Sequence, residues 1–505
     1  MAIVLSSLAA LQSKADRILV AVAILVALMA VTPLVGRLTS PRGAPRPFKG
    51  YAGLNSPTFA KSRNDYLRQG KEQSPDNQFS FWHGPHHMVS VSGEVARTVL
   101  LTSRKLNALA GFATLFGSFL KIDSLTNSYA RLALLTFKRC AQDEHIESNL
   151  PRLIDDSCRF IASINPSEAW DPVNKMGYLM YQLTHRMVGT HDIANDPELV
   201  VSTRDIYKPL DHSSLFEIWF PLLPTLSKLR KAWAYTRLHW LVQGFITDRR
   251  KTGRKEKDAM QMMMDQEFKD AVITLAVIGA ILAGVLNTSI TAAWNVCYLA
   301  KSPTWRSKLR AEVDQVLVKY RRSPSEDVVE VLQRLKLKDW EREFPLFEFT
   351  LKETMRFVMA GQIVRKNISN RGVAVGDTDF IIPQNSFAVY PVEDVHMDPT
   401  IYKNPLEWDP SRHDKNRAEG SKSPHSFLAW GSGNHTCPAM RFSKLNILVP
   451  TVMLVALYDF EMCNAQGQTS NEALPRLSYD GIGAGRPTGK AYVKCSPRKG
   501  TSSDG

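Results

Sequence analysis

A mainly α-helical fold with a smaller β portion is what this sequence predicts, on three observations. Between about residues 51 and 345 apolar residues recur mostly at amphipathic-helix spacing, with loops between. Residues 363–392 instead alternate apolar and polar side chains around turn residues such as Gly376 and Pro383, the pattern of short strands. A last apolar helix is expected from near Cys437 to about Tyr458. At 505 residues, with 44% hydrophobic and 22% charged residues, the chain is ordinary for a folded protein, which excludes a disordered, collagenous or low-complexity chain. A mean hydropathy of −0.19 argues against many membrane spans and leaves room for one.

That one span is expected at the start. Residues 18–35 are uncharged and long enough to cross a bilayer core. Arg37, Arg42, Arg46 and Lys49 follow it, against Lys14, Asp16 and Arg17 before it, so the positive-inside bias puts the large C-terminal part in the cytosol. A cleaved signal peptide is the alternative, disfavoured by the length of the run and by the lack of a small-residue cleavage site directly after it. Residues 41–50 are proline-rich and predict a stiff, non-helical spacer. The expected organisation is therefore a luminal segment (1–17), a transmembrane anchor (18–36), a hinge (37–50) and one large domain (51–505).

Residues 271–300 carry no charge and must be weighed as a second span. The polar run 287–295 makes a helix through the middle of a soluble domain the better account. The net charge of +14 includes a basic run at residues 249–257, expected to be a solvated helix end or loop because an acidic residue, Glu256, interrupts it; no nucleic-acid partner is expected. Six scattered cysteines with no C-x-x-C pair exclude a disulfide framework or a zinc module.

The chemistry is expected in residues 427–445. Gly431 and Gly433 permit a tight turn immediately before Cys437, which is expected at the start of a helix, where unpaired N–H groups favour thiolate over thiol. A thiolate on a rigid turn suits haem iron as an electron-donating axial ligand, and glycines let a flat macrocycle approach the backbone. His435 is placed to donate to a haem propionate. The bland alternative is a buried cysteine after a turn. Against it stand Glu353 and Arg356, three apart on one helix face, and Arg412 at the end of a proline- and aromatic-rich loop, from which it can reach back to that pair.

That ordered set resembles the cytochrome P-450 superfamily. Glu353-x-x-Arg356 matches the K-helix motif, residues 408–413 (WDPSRH) match the meander motif, and residues 430–439 (WGSGNHTCPA) match the haem-thiolate loop, with Trp430 in place of the usual Phe. The resemblance covers nearly everything after residue 50, and the spacing is similar to fungal enzymes of specialised metabolism. It implies the P-450 fold and haem b with Cys437 as axial iron ligand. Around the haem it places His435, Arg365, Trp430, Gly431 and Gly433, and it makes Glu353, Arg356 and Arg412 a structural network. Ala439 replaces the family glycine, where a methyl is expected to crowd the porphyrin. Pro450 is expected to kink the last helix. The usual WxxxR signature is not evident, and Lys138 or Arg139 are weak substitutes.

In the oxygen-activating helix, Gly284 is expected to widen the helix locally. Leu286 and Asn287 stand where an acid and a threonine usually support proton delivery, similar to the branch containing bile-acid-forming sterol hydroxylases and prostacyclin synthase. Asn287, with Thr288 as a lesser partner, is the catalytic candidate, its amide ordering a proton-delivering water. The alternative is that Asn287 satisfies a buried backbone group.

The resemblance implies a monooxygenase of the endoplasmic reticulum membrane. It would oxidise a lipophilic terpenoid, sterol, polyketide or alkaloid with O2 and electrons from NADPH. These would pass through NADPH-cytochrome P-450 reductase, with cytochrome b5 as an optional second donor and membrane lipid around the anchor. Two alternatives stand beside it: a reductase-independent isomerase or dehydratase of a peroxide, and a non-catalytic membrane-anchored haem or ligand-binding protein. Recognition segments are expected around residues 80–125, 205–235, 275–290 and 358–366, where Trp82, Phe112, Phe116, Phe216, Trp219 and Phe220 supply apolar and aromatic surface.

Overall fold

The uncharged run at 271–300 becomes one long interior helix around which the rest of the chain is arranged. The computed structural model describes residues 40–48, 61–115, 134–211, 225–481 and 483–498, with Val20, Phe59 and Glu217. The expected anchor at 18–36 lies outside the described residues apart from Val20, as do Phe116, Phe216, Trp219 and Phe220.

The helices used below are α1 (Arg63–Glu72), α2 (Glu94–Thr102), α3 (Ala108–Leu115), α4 (Asp143–Ala162), α5 (Pro172–Val188), α6 (Leu226–Thr252), α7 (Asp270–Lys301), α8 (Pro345–Val358) and α9 (Met440–Leu457). The long helix is α7. Asp270 in its first turn and Lys301 in its last complement the helix dipole. Its most apolar window is 67% buried inside the protein, and α9 passes the same apolarity test at 72% buried. Both are core helices. Residues of α4, α5, α7, α8 and α9 share one hydrophobic cluster that includes Leu153, Met180, Trp294, Leu351 and Val452.

The β portion is a five-stranded sheet in the order β1-β2-β7-β4-β3 and three two-stranded pairs. Strands β1 (Phe79–His83) and β2 (His86–Ser90) form a hairpin, β2 runs parallel to β7 (Phe387–Pro391), and β7 pairs antiparallel with β4 (Gln362–Asn367). The short β3 (Leu106–Asn107) closes the other edge. Trp82 therefore sits on an edge strand, half-buried against His87. The pairs are β5 (Val373–Ala374) with β6 (Ile381–Ile382), β9 (Leu477–Ser478) with β10 (Arg486–Pro487), and β8 (Tyr458–Cys463) with β11 (Tyr492–Pro497).

The proline-rich residues are non-helical, and their end is docked on the sheet. Phe48 N–H donates to Ser80 O at 2.9 Å, Ser80 N–H donates to Arg46 O at 3.0 Å, and the Phe48 ring enters a cluster with Tyr66 and Phe79. The basic run at 249–257 departs from expectation more sharply. Arg249 is fully buried, with Nη2 2.5 Å from both Asp192 and Asp258, while Arg250 pairs with Asp270. The end of α6 is thus locked by acidic partners outside the helix, nine to 57 positions away. Helix α9 continues through Pro450 without a break in its helical assignment.

Candidate functional site

Four buried side chains hold the irregular loop after β7 against α8. Glu353 and Arg356 lie one turn apart on α8, and both are without exposure. Arg356 Nη2 donates to Glu353 Oε1 at 2.8 Å and Nε to Oε2 at 3.0 Å. Arg412 Nε also reaches Glu353 Oε1, at 2.9 Å, and His413 Nε2 lies 3.1 Å from Oε2. The remaining guanidinium protons go to backbone carbonyls: Arg356 to His396 and Pro405, Arg412 to Lys403 and Glu407, with Glu419 as a second carboxylate partner of Arg412. Burial by itself would raise the Glu353 pKa, but the bonds from His413 and Arg356 outweigh it and bring it to about 2. The three-member network expected from the sequence is present in space, with His413 added.

The same loop is clamped to the central helix. Trp408 stacks on Tyr298 of α7 with ring centroids 5.2 Å apart and planes 2° from parallel, and its Nε1–H donates to Thr354 Oγ1 at 3.2 Å. His396 carries the clamp onward. Its Nε2 accepts the Leu428 N–H at 2.9 Å, and its ring stacks on Phe427 at the entrance to the glycine turn.

The turn itself needs both of its glycines. Gly431 has φ +69°, and a Cβ there would lie 2.3 Å from His435 O; Gly433 has φ +63°, and a Cβ there would lie 2.5 Å from Leu101 O at the end of α2. Cys437 N–H donates to Trp430 O at 2.7 Å and closes the loop. Helix α9 begins three residues after Cys437, at Met440, with Ala439 as its N-cap at φ −95°. The thiol is half-buried, and burial pushes its pKa up, with the Ala439 N–H pulling the other way. The expected lowering by a helix start directly at Cys437 is therefore outweighed by desolvation. A cationic partner at Sγ is what would drive off the proton.

Arg365, on β4, is 9% exposed and has no carboxylate partner among the described residues. Its Nη1 donates to the adjacent Val364 O at 3.0 Å, and its Nε is buried without an acceptor. Burial lowers its pKa to about 10. His435 lies close enough to feel it: burial first, and the Arg365 charge second, hold the imidazole below its usual value. Trp430 is half-buried against the main core, and its Nε1–H also lacks an acceptor among the described residues. Lys138 and Arg139 are exposed and take no part in this arrangement.

On α7, Gly279 and Ala283 are exposed and Asn287 is half-buried, although the helix runs through the interior. Residues spaced by four share a face, so Gly279, Ala283 and Asn287 form an accessible stripe along one side of α7. Gly284 lies off the stripe. It is buried where a Cβ would meet Thr184 Cγ2 of α5 at 2.6 Å, and α7 is helical without interruption through it. Its lack of a side chain permits the close packing of α7 on α5 at this point. Thr288 is buried with its hydroxyl donating to Gly284 O at 2.5 Å. Asn287 Oδ1 accepts the Ala484 N–H at 2.9 Å.

Sequence reasoning missed His396 and the partner of Asn287. The Phe427 ring that His396 stacks on lies 31 positions further along, and Ala484 is 197 residues from Asn287. No local pattern signals either.

Comparison with known proteins agrees with this arrangement. Residues 41–479 match the family model described as Cytochrome P450. The chain is 27% identical over 441 residues to Cytochrome P450 monooxygenase AacuE of Aspergillus aculeatus, covering 85% of this chain and 88% of that protein. It is 26% identical over 464 residues to Cytochrome P450 monooxygenase nsrP of Aspergillus novofumigatus, covering 90% and 89%. Among solved structures, a retinoic acid bound cyanobacterial CYP120A1 superposes with a TM-score of 0.69 over 91% of this chain and 100% of that one, at 16% identity, a likeness of fold. A buried Glu-Arg-Arg clamp, a two-glycine turn ahead of one cysteine and a family match across most of the chain converge: this protein is a member of the cytochrome P450 family and a monooxygenase.

Proposed function

We propose that the protein holds haem b through Cys437 and oxidises a lipophilic small molecule in fungal secondary metabolism. The observation that carries this is the buried, uncompensated Arg365 beside His435 and the Cys437 loop. An isolated guanidinium is costly to bury, and the dianionic propionate edge of a haem supplies the missing counter-charge. The φ-positive glycines at 431 and 433 let the turn close against His435 O and against Leu101 O of α2, which fixes the loop that presents Cys437. These residues fit the group.

In this reading Cys437 Sγ would hold the haem iron, and the Ala439 N–H, which donates to the sulfur, would moderate its charge. Ala439 at φ −95° is in a conformation that requires no glycine, which accounts for the departure from the family loop. Arg365 and His435 bind the propionates. When bound, haem supplies the activation of dioxygen and the oxidation of a C–H bond. The protein's own part is to present substrate along the accessible Gly279–Ala283–Asn287 face of α7 and to limit water there.

Electrons are assigned to NADPH through a membrane-bound NADPH-cytochrome P-450 reductase, with cytochrome b5 as an accessory donor. The run at 18–36 is assigned as a single anchor in the endoplasmic reticulum membrane. The fungal relatives named as monooxygenases support the oxidation chemistry, and the substrate is assigned to the terpenoid, sterol, polyketide or alkaloid classes. The test is the ferrous–carbon monoxide difference spectrum of the full chain, where a thiolate-type Soret band is expected, and its loss in Cys437→Ser. A thiolate-type band unchanged in Cys437→Ser would overturn the assignment. Turnover of a peroxide without NADPH or reductase would favour the isomerase alternative.

A further inference from the structure

We propose that Asn287 is a positioning residue that fixes the wall of the substrate cavity by tethering the β9–β10 hairpin to the central helix, and that it does not serve to order a proton-delivering water. The inference rests on the reading of the α7 face as the substrate side of a haem pocket.

The hairpin joins Ser478 to Arg486, which are paired across its base. That base is tied to the end of α8, where Tyr479 Oη donates to Phe357 O at 2.7 Å and the Gly485 N–H donates to Val358 O at 2.6 Å. These are last-turn carbonyls that lack intrahelical donors, so the base is held firmly. One flank is held by α1: the Arg63 N–H donates to Asp480 Oδ1 at 2.7 Å and Arg63 Nη1 to Gly481 O at 3.1 Å.

The far side reaches α7 through Asn287, whose Oδ1 accepts the Ala484 N–H at 2.9 Å. Gly483 makes this approach possible. It has φ +82°, and a Cβ there would stand 2.4 Å from Asn287 Oδ1 and 3.1 Å from the Leu286 side chain. Asn287 is half-buried at the end of the accessible stripe begun by Gly279 and Ala283. The tethered hairpin therefore closes one end of that face, and the carbonyl oxygen of the Asn287 amide is already engaged.

The local chemistry explains the residue type. The threonine hydroxyl sits one bond closer to the backbone than the asparagine amide oxygen, and in a helix it turns back to the preceding carbonyl, as Thr288 does here. An amide extends outward and accepts from a neighbouring backbone. The substitution converts a helix-facing side chain into a tether between two elements.

The direct test is hydrogen exchange of the segment 479–486 in the full-length, haem-loaded chain. Asn287→Ala removes the acceptor and is expected to speed exchange at Ala484 about five-fold or more, the equivalent of one ordinary hydrogen bond. Asn287→Asp keeps an acceptor oxygen and is expected to retain the protection. Gly483→Ala drives the hairpin off Asn287 and is expected to behave like Asn287→Ala. The second readout is the ratio of dissociation constants for 4-phenylimidazole and imidazole, followed by the Soret shift. It is expected to change several-fold in Asn287→Ala and Gly483→Ala and to stay at the wild-type value in Asn287→Asp.

Unchanged exchange at Ala484 in Asn287→Ala would overturn the proposal. So would a rise in peroxide released per NADPH with an unaltered azole ratio, the mark of a proton-delivery role. Absence of a thiolate-type carbon monoxide spectrum in the wild type would instead sink the haem assignment, and the exchange result would stand apart from it.

Discussion

His396 lies 2.9 Å from the carbonyl oxygen of Arg356 through Nδ1, and its other nitrogen accepts the Leu428 N–H at the same distance. Because a backbone N–H can only donate, Nε2 must be unprotonated and Nδ1 must carry the proton. One neutral imidazole thus couples the Glu353 network to the loop that presents Cys437. Burial pushes its pKa down to about 3, with the bond to Arg356 opposing.

His396→Phe keeps a ring against Phe427 and leaves the Leu428 N–H buried without an acceptor. A loss of about 1–3 kcal/mol is expected. The pH dependence follows from the depressed pKa. Between pH 6.5 and 3 the unfolded chain binds the proton and the folded chain resists it, so this contribution is complete above 6.5 and is lost as pH falls toward 3. Denaturant midpoints at pH 7.5 and 5 should differ less in His396→Phe than in the wild type.

Glu353→Gln leaves Arg356 and Arg412 buried without their shared carboxylate. The expected cost is about 3–5 kcal/mol, read as a lower denaturant midpoint and poor recovery of folded protein. Glu348→Gln, also on α8 and partly exposed in its pair with Lys444 of α9, should cost about 1 kcal/mol or less. Equal effects at the two positions would contradict the network.

Gly431→Ala places a methyl against His435 O in a left-handed conformation. It should destabilise the turn by about 1–3 kcal/mol and lower the Soret absorbance per chain. Ala439→Gly, at a negative φ, should change stability by no more than about 0.5 kcal/mol and preserve the spectrum.

Gly284→Ala drives a methyl into Thr184 of α5, with an expected cost of about 1–3 kcal/mol. Adding Thr184→Ala should restore much of that stability. A double-mutant cycle with a coupling near zero would mean that α7 and α5 are not in close packing at this point.

Glu312 offers a pH test of opposite sign. Its carboxylate accepts the Leu346 N–H at 2.9 Å at the start of α8, yet burial raises its pKa to about 7 against the opposing N–H bonds of Leu346 and Phe347. A raised carboxyl pKa favours the folded state most at low pH, and that advantage fades as pH rises from about 4.5 through 7. In Glu312→Gln, the fall in the denaturant midpoint between pH 5.5 and 8 should be shallower than in the wild type.

Much of this site is written in short stretches of sequence. Gly431 and Gly433 ahead of Cys437, the helical spacing of Glu353 and Arg356, and the uncharged run that became α7 each reflect a local demand: a positive φ, a 3.6-residue period, a length of apolar surface. Such demands act between near neighbours and leave their mark in order and spacing. Four features could be known only once distant segments had packed together: the burial of Arg249 between Asp192 and Asp258, the contact of Gly284 with Thr184, the reach of His396 to Leu428, and the tether from Asn287 to Ala484. In each, the energy comes from desolvation and from particular partners that lie from nine to 197 positions away, beyond the reach of helix or strand periodicity.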